Sequence, residues 1–148
     1  MTELALKDVH PNVRKFLFLI TKTEGTDRDG KPYNCLFGYH YFDNAFVEHP
    51  NIRIPFGKTN WSTAAGRFQI LNKTAKSLKM PDFTPESQDR AAIELIRRRK
   101  ALEDVTEGRF EDAINKCNKE WASLPNSPYG QPTETMVNAI NFINSVKD

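Results

Sequence analysis

The run V-R-K-F-L-F-L-I-T-K-T-E-G, Val13 to Gly25, restricts the fold of this chain more than any other stretch. Val13, Phe16, Leu17 and Ile20 fall at the i, i+3, i+4, i+7 spacing of one helical face. Phe18 and Leu19 widen that face until the helix is apolar nearly all round, which predicts a central, buried helix. The helix is expected to begin after Asp8 or His10, with Pro11 in the first turn, where a missing N–H leaves no bond unmade. Gly25 predicts its end, because glycine takes positive φ without steric penalty. The result is a carboxylate, Glu24, at a helix C-terminus, where the partial negative charge of the last carbonyls disfavours an anion.

A buried helix needs partners. In 148 residues, 39% of them hydrophobic, the chain has enough apolar side chains for one core, and a single domain over 1–148 is expected. After Gly25 the texture changes. G-T-D-R-D-G-K-P is a turn cluster, and Y-N-C-L-F-G-Y-H-Y-F suits short strands. H-P-N-I-R-I-P-F-G carries two prolines that forbid a central strand, so this region reads as a small irregular sheet or a long structured loop. S-T-A-A-G-R-F-Q-I-L predicts a return to helix, capped by Ser62 or Thr63, with Gly66 inside it at a penalty of up to about 1 kcal/mol. A third helix should follow Thr84 as cap and Pro85 as first residue, with acids early and Arg97-Arg98-Arg99-Lys100 late, as the helix dipole favours. Phe110, Ala113, Ile114, Cys117 and Trp121 form the cleanest amphipathic stripe, stopping at S-L-P-N-S-P. The last helix is placed from about Thr133, with Met136, Val137, Ile140, Ile143 and Val146 inward. The fold class is therefore α+β, mostly helical, with one small β insertion forming a lip of a cleft.

Several function classes fall away. Phe16 to Ile20 is the longest apolar stretch and is too short to span a bilayer, so no membrane insertion is expected. The N-terminus has no basic segment followed by a long apolar run, which points to synthesis in a cytoplasm. A net charge of +2 makes no demand for nucleic acid. Cys35 and Cys117 lack any C-x-x-C pattern and read as two half-buried thiols. His10, His40 and His49 form no metal pattern, no phosphate loop or dinucleotide fingerprint occurs, and no serine sits in a G-x-S-x-G elbow. Neither metal nor cofactor is expected.

Glu24 remains. A carboxyl desolvated at a helix end has a raised pKa and can act as a general acid near neutral pH. The alternative is a solvated glutamate before a capping glycine. Glycosidic cleavage usually engages a second carboxylate, and Asp27, Asp29, Asp43 and Glu48 lie downstream, none in a context that singles it out. The four cations at 97–100 point around a helix axis and read as a solvated helix end.

Five blocks taken together carry a resemblance: T-E-G-T-D at Thr23 to Asp27, H-P at His49-Pro50, S-T-A-A-G-R-F-Q-I-L, D-F-T-P-E-S-Q-D at Asp82 to Asp89, and W-A-S-L-P-N-S-P-Y-G-Q at Trp121 to Gln131. In order and spacing the chain resembles the bacteriophage lambda lysozyme family of peptidoglycan lytic transglycosylases, from about Val13 to the C-terminus. The resemblance implies a lysozyme-like fold and cleavage of the β-1,4 bond between N-acetylmuramic acid and N-acetylglucosamine, leaving 1,6-anhydromuramoyl ends. It makes Glu24 the catalytic residue and implies that Tyr33, Ser62, Gln69, Tyr129 and Gln131 contact the sugar. The partner is then the peptidoglycan glycan strand, met by a monomeric endolysin made in the host cytoplasm. That enzyme would reach the periplasmic wall only through a holin or another membrane lesion. Two other readings stay open: a hydrolytic muramidase with Asp27 or Asp43 directing a water, and a non-catalytic wall-binding or virion protein.

Overall fold

The computed structural model describes residues 9–129 and 133–147. Among them the chain forms six helices and two small antiparallel sheets, a mixed α+β architecture that is mainly helical. The described residues divide into two compact units, one of residues 25–91 and the other of residues 9–24 together with those from Ala92 onward.

The second unit is helical. Helix α1, Pro11–Glu24, starts at the proline and ends one residue before Gly25, which has φ 73°. Its Val13, Phe16, Leu17, Leu19 and Ile20 are buried, each contributing about 1.5–3 kcal/mol relative to exposure. The buried Thr21 hydroxyl donates back to the Leu17 carbonyl at 2.8 Å, so the core-facing side holds no unmet polar group there. Helix α1 packs on α4 (Leu102–Thr106) and on α6 (Met136–Ser145), and α5 (Phe110–Cys117) packs on both α4 and α6. Sequence periodicity overran the ends of the last two long helices. Trp121 is buried but lies beyond α5, in the turn that follows Cys117. In α6 the cap is Thr135, whose side chain accepts from the Asn138 N–H, and Ala139 and Ile143 are the buried residues. Val137, expected inward, is 69% exposed. Ala139, fully buried, faces inward in its place.

The first unit carries the β structure. Strands β1 (Cys35–Leu36) and β2 (His40–Tyr41) pair Cys35 with Tyr41, and β3 (Ile54–Phe56) and β4 (Asn60–Ser62) pair Pro55 with Trp61. Pro55 sits within a strand, though not a central one. A two-stranded ribbon has only edges, so a missing N–H is tolerated. Leu36, Phe42, Ala65 and Phe83 form the core here, with Phe46, Ile54 and Met80 against it.

The predicted helix at Ser62 to Leu71 does not exist. Ser62 ends β4, and residues 63–71 form a tight turn closed by single bridges, Leu36 with Ala65 and Ala65 with Ile70. Helix begins only at α2, Asn72–Ser77. Gly66 (φ 80°) and Gln69 (φ 51°) are both left-handed, a conformation no α-helix contains. Helix α3, Pro85–Arg98, follows as read, with the Thr84 hydroxyl accepting from the Ser87 N–H at 3.2 Å. Its basic end is a solvated one: Arg97 and Arg98 reach Glu94 at 2.5 and 3.7 Å, and Arg99 reaches Glu120 at 3.1 Å.

Candidate active site

Helix α1 delivers Glu24 at its last residue, and Gly25 turns the chain away. A side chain at 25 is disfavoured on two counts. The φ is positive, and a Cβ would lie 2.7 Å from the Tyr39 hydroxyl. Glu24 keeps part of its surface open to solvent, yet burial is the largest influence on its carboxyl and raises its pKa above the ordinary 4.5. A hydrogen bond from the Ser123 hydroxyl opposes that rise in part. Burial and Ser123 account for the shift, with no charged neighbour among its causes.

Ser123 was passed over in the sequence, although it lies inside the W-A-S-L-P block. Its Oγ contacts both Glu24 Oε2 and the Thr23 Oγ1, the latter at 3.1 Å, and Thr23 in turn donates to the Ile20 carbonyl at 3.2 Å. A serine hydroxyl has one proton and two acceptor sites. With Glu24 ionised, Ser123 gives that proton to the carboxylate. With Glu24 protonated, Ser123 can rotate its proton to Thr23 and accept from the carboxyl instead. The trio therefore satisfies both charge states of one acid, as a group that first donates and then takes a proton requires.

The sugar-contact residues expected from the sequence lie in different surroundings. Tyr33, in a 3-10 turn at Pro32–Asn34, has its hydroxyl in a buried network: it donates to Asp89 at 3.1 Å and accepts from Arg67 Nη1 at 3.0 Å. The Arg67–Asp89 pair beneath it is sealed, with side chains 5% and 0% exposed. Gln69 donates to the carbonyls of Cys35 and Gly66 at 3.1 and 2.9 Å, so its amide closes the 63–71 turn. Ser62 is half-buried at the end of β4 and accepts from the Ala64 N–H. Tyr129 is 59% exposed, and its hydroxyl donates to the Lys119 carbonyl at 3.1 Å. Gln131 lies outside the described residues.

His49 has a structural position. Its Nδ1 accepts from the Asn51 N–H at 2.9 Å, which leaves Nε2 to donate to the Ile70 carbonyl at 2.7 Å, and its ring meets Phe83 edge-on. Burial lowers its pKa below 6.5, in keeping with a neutral ring wedged under the turn. Asp27, Asp43 and Glu48 are exposed, and Asp29 accepts from the Tyr41 hydroxyl. Cys35 and Cys117 are free and fully buried rather than half-buried, and burial pushes their thiols up to about 11 and about 12. Among the described residues no cluster of three or more His, Cys, Asp or Glu stands ready to hold a metal ion.

The comparisons with known proteins bear on this geometry. The Endolysin family model matches residues 14–145. The endolysin of Escherichia phage P2 is 38% identical, the match covering 84% of this chain and 86% of that protein. The endolysin of Escherichia phage lambda is 35% identical over 81% and 82% of the two chains. Bacteriophage lambda lysozyme, solved in complex with a chitohexasaccharide, superposes with a TM-score of 0.83 at 30% identity over 97% of this chain and 96% of its own. A second structure of lysozyme from bacteriophage lambda gives 0.79 at 29% identity over the same shares. Sequence, fold and an acid lodged at the end of the first helix converge, and the chain belongs to the endolysin family, with the fold of lambda lysozyme.

Proposed function

We propose that this endolysin is a peptidoglycan lytic transglycosylase in which Glu24 acts alone, first as acid and then as base. The observation that carries the reading is that burial and one hydroxyl, with no second carboxylate, set the titration of Glu24. A retaining glycosidase places its two carboxyl groups about 5 Å apart, where each would perturb the other's titration, and an inverting one sets them about 6.5–9.5 Å apart around a water. An enzyme that recruits no water needs no second acid.

The chemistry follows from that solitary group. Protonated Glu24 donates to the glycosidic oxygen as its bond to the muramoyl C1 breaks, and the N-acetylglucosamine hydroxyl leaves. The Glu24 carboxylate then takes the proton of the muramoyl C6 hydroxyl, whose oxygen closes on C1 to form the 1,6-anhydro ring. Glu24 ends the cycle protonated. Attack from within the same sugar avoids the entropy of fixing a water, so positioning of the glycan supplies much of the rate. Ser123 holds the carboxyl in place in both states.

A glycan ligand is supported by the chitohexasaccharide bound to lambda lysozyme. Of the residues assigned to the sugar, Tyr129 is exposed and Tyr33, Ser62 and Gln69 are each partly exposed, so all four have surface to offer it, and Tyr33 and Gln69 also hold the 63–71 turn in shape. Among the described residues no helix is long and apolar enough to cross a membrane. In this reading an endolysin made in the host cytoplasm reaches the wall through a holin or a similar lesion.

Mass spectrometry of muropeptides released from purified sacculi tests the reading. Anhydromuramoyl ends are the expected product. Reducing muramic acid ends would replace it with hydrolysis, and the absence of any release would leave a wall-binding protein.

A further inference from the structure

Beneath the β3–β4 hairpin lies a pocket of about 570 Å³, within the range of small-ligand sites. Its charged lining is of one sign: Arg53, Lys73 and Lys76, with no Asp or Glu among the lining residues. Lys73 and Lys76 sit three residues apart on α2 and so share a face. All three cations are exposed, and among the described residues none forms an ion pair. Arg53 instead lies over the Trp61 ring, 4.3 Å from its centroid, and Trp61 and Phe56 remain 51% and 43% exposed. Three like charges line one concave, partly aromatic surface, an arrangement that favours an anionic ligand. The adjacent pocket, which shares Lys76, is lined also by Glu48 and Asp82 and lacks this bias.

We propose that this pocket binds the acidic stem peptide of peptidoglycan, with Arg53, Lys73 and Lys76 reading its carboxylates and Trp61 and Phe56 packing on its aliphatic parts. The inference rests on the glycan reading above and deepens it. Ser62, assigned there to the sugar, lines the same pocket, so a peptide leaving the muramoyl lactyl group has a receptor beside its own glycan. An uncharged glycan has no use for three unpaired cations. A carboxylate-bearing peptide does, and its amides match the asparagine and hydroxyl groups that complete the lining.

Tryptophan emission reports directly on the site, because Trp61 is half exposed and Trp121 is 3% exposed in the helical unit. The probe is a soluble, glycan-free acidic stem peptide titrated into the full-length protein at low salt. The expected result is a saturable emission change that weakens with added salt. It should also weaken about tenfold or more in R53A/K73A/K76A, and return in R53K/K73R/K76R. No emission change overturns the proposal. So does equal binding of the same peptide with its carboxylates amidated, and so does equal binding of inorganic phosphate, which would mean an unselective anion site. No bond is cleaved in this titration, so its failure leaves the muropeptide ends to decide the reaction type, and hydrolytic ends would leave the peptide site standing.

Discussion

The Ser123 hydroxyl meets the Glu24 carboxyl at the end of α1 and is itself held by Thr23 Oγ1 at 3.1 Å. Residues 99 positions apart in the chain thereby form one proton-handling unit. Burial pulls the Glu24 pKa up, and Ser123 pulls it back. The two influences oppose each other on one acid, as the proposed acid-then-base cycle requires.

Replacing Ser123 with alanine removes the influence that lowers the Glu24 pKa. The acid stays protonated to higher pH, so the alkaline limb of the kcat profile should move upward. The rate at its maximum should fall about ten- to hundredfold, since the carboxylate formed in mid-cycle loses a hydrogen bond worth about 1.5–3 kcal/mol. A pH–rate profile decides it. A lower rate with an unmoved limb would mean that Ser123 only packs.

Glu24→Gln keeps the shape and removes the titratable proton. Cleavage of purified peptidoglycan should fall by about 10²–10⁴, the usual worth of a positioned general acid–base. Stability should move the other way. With a raised pKa, folded Glu24 holds its proton over a window where the unfolded chain has released it, so stability declines as pH climbs from 4.5 through the folded value. Glutamine has no such penalty, and the variant should melt above the unaltered protein at pH 7 and level with it near pH 4. Calorimetry at the two pH values checks the sign.

Gly66→Ala should destabilise by at least about 2 kcal/mol. The φ of 80° is strained for alanine, and the new Cβ would fall 2.2 Å from Gln88 Oε1. That oxygen accepts from the Arg67 N–H at 2.9 Å, so it cannot move without breaking the bond that anchors the turn. Urea denaturation measures the loss.

Asp89→Ala should be more damaging, about 3–5 kcal/mol, because it removes one side of the buried Arg67–Asp89 pair. R67M/D89L, which removes both charges, should cost clearly less. A double-mutant cycle by chemical denaturation gives the difference.

The long apolar helix, its proline start and its glycine stop were legible because each is a local property. Amphipathic spacing sets α1, and Thr84-Pro85 sets the start of α3, with no reference to the rest of the chain. The Ser62 to Leu71 segment misled for the opposite reason. Two alanines and an N-cap candidate favour helix locally, but Gln88, Cys35 and Thr26 bind its backbone from elsewhere and bend it into a turn. Val137 misled likewise, since periodicity cannot tell which of several apolar faces a neighbour will cover.

The order of residues alone placed a carboxylate at the end of a buried helix, because helix limits follow from spacing and from backbone freedom at proline and glycine. Only the tertiary structure put Ser123 against that carboxylate and stripped away enough water to raise its pKa. Desolvation and a hydrogen bond across 99 residues depend on what packs where, and neither is written in any local stretch of sequence.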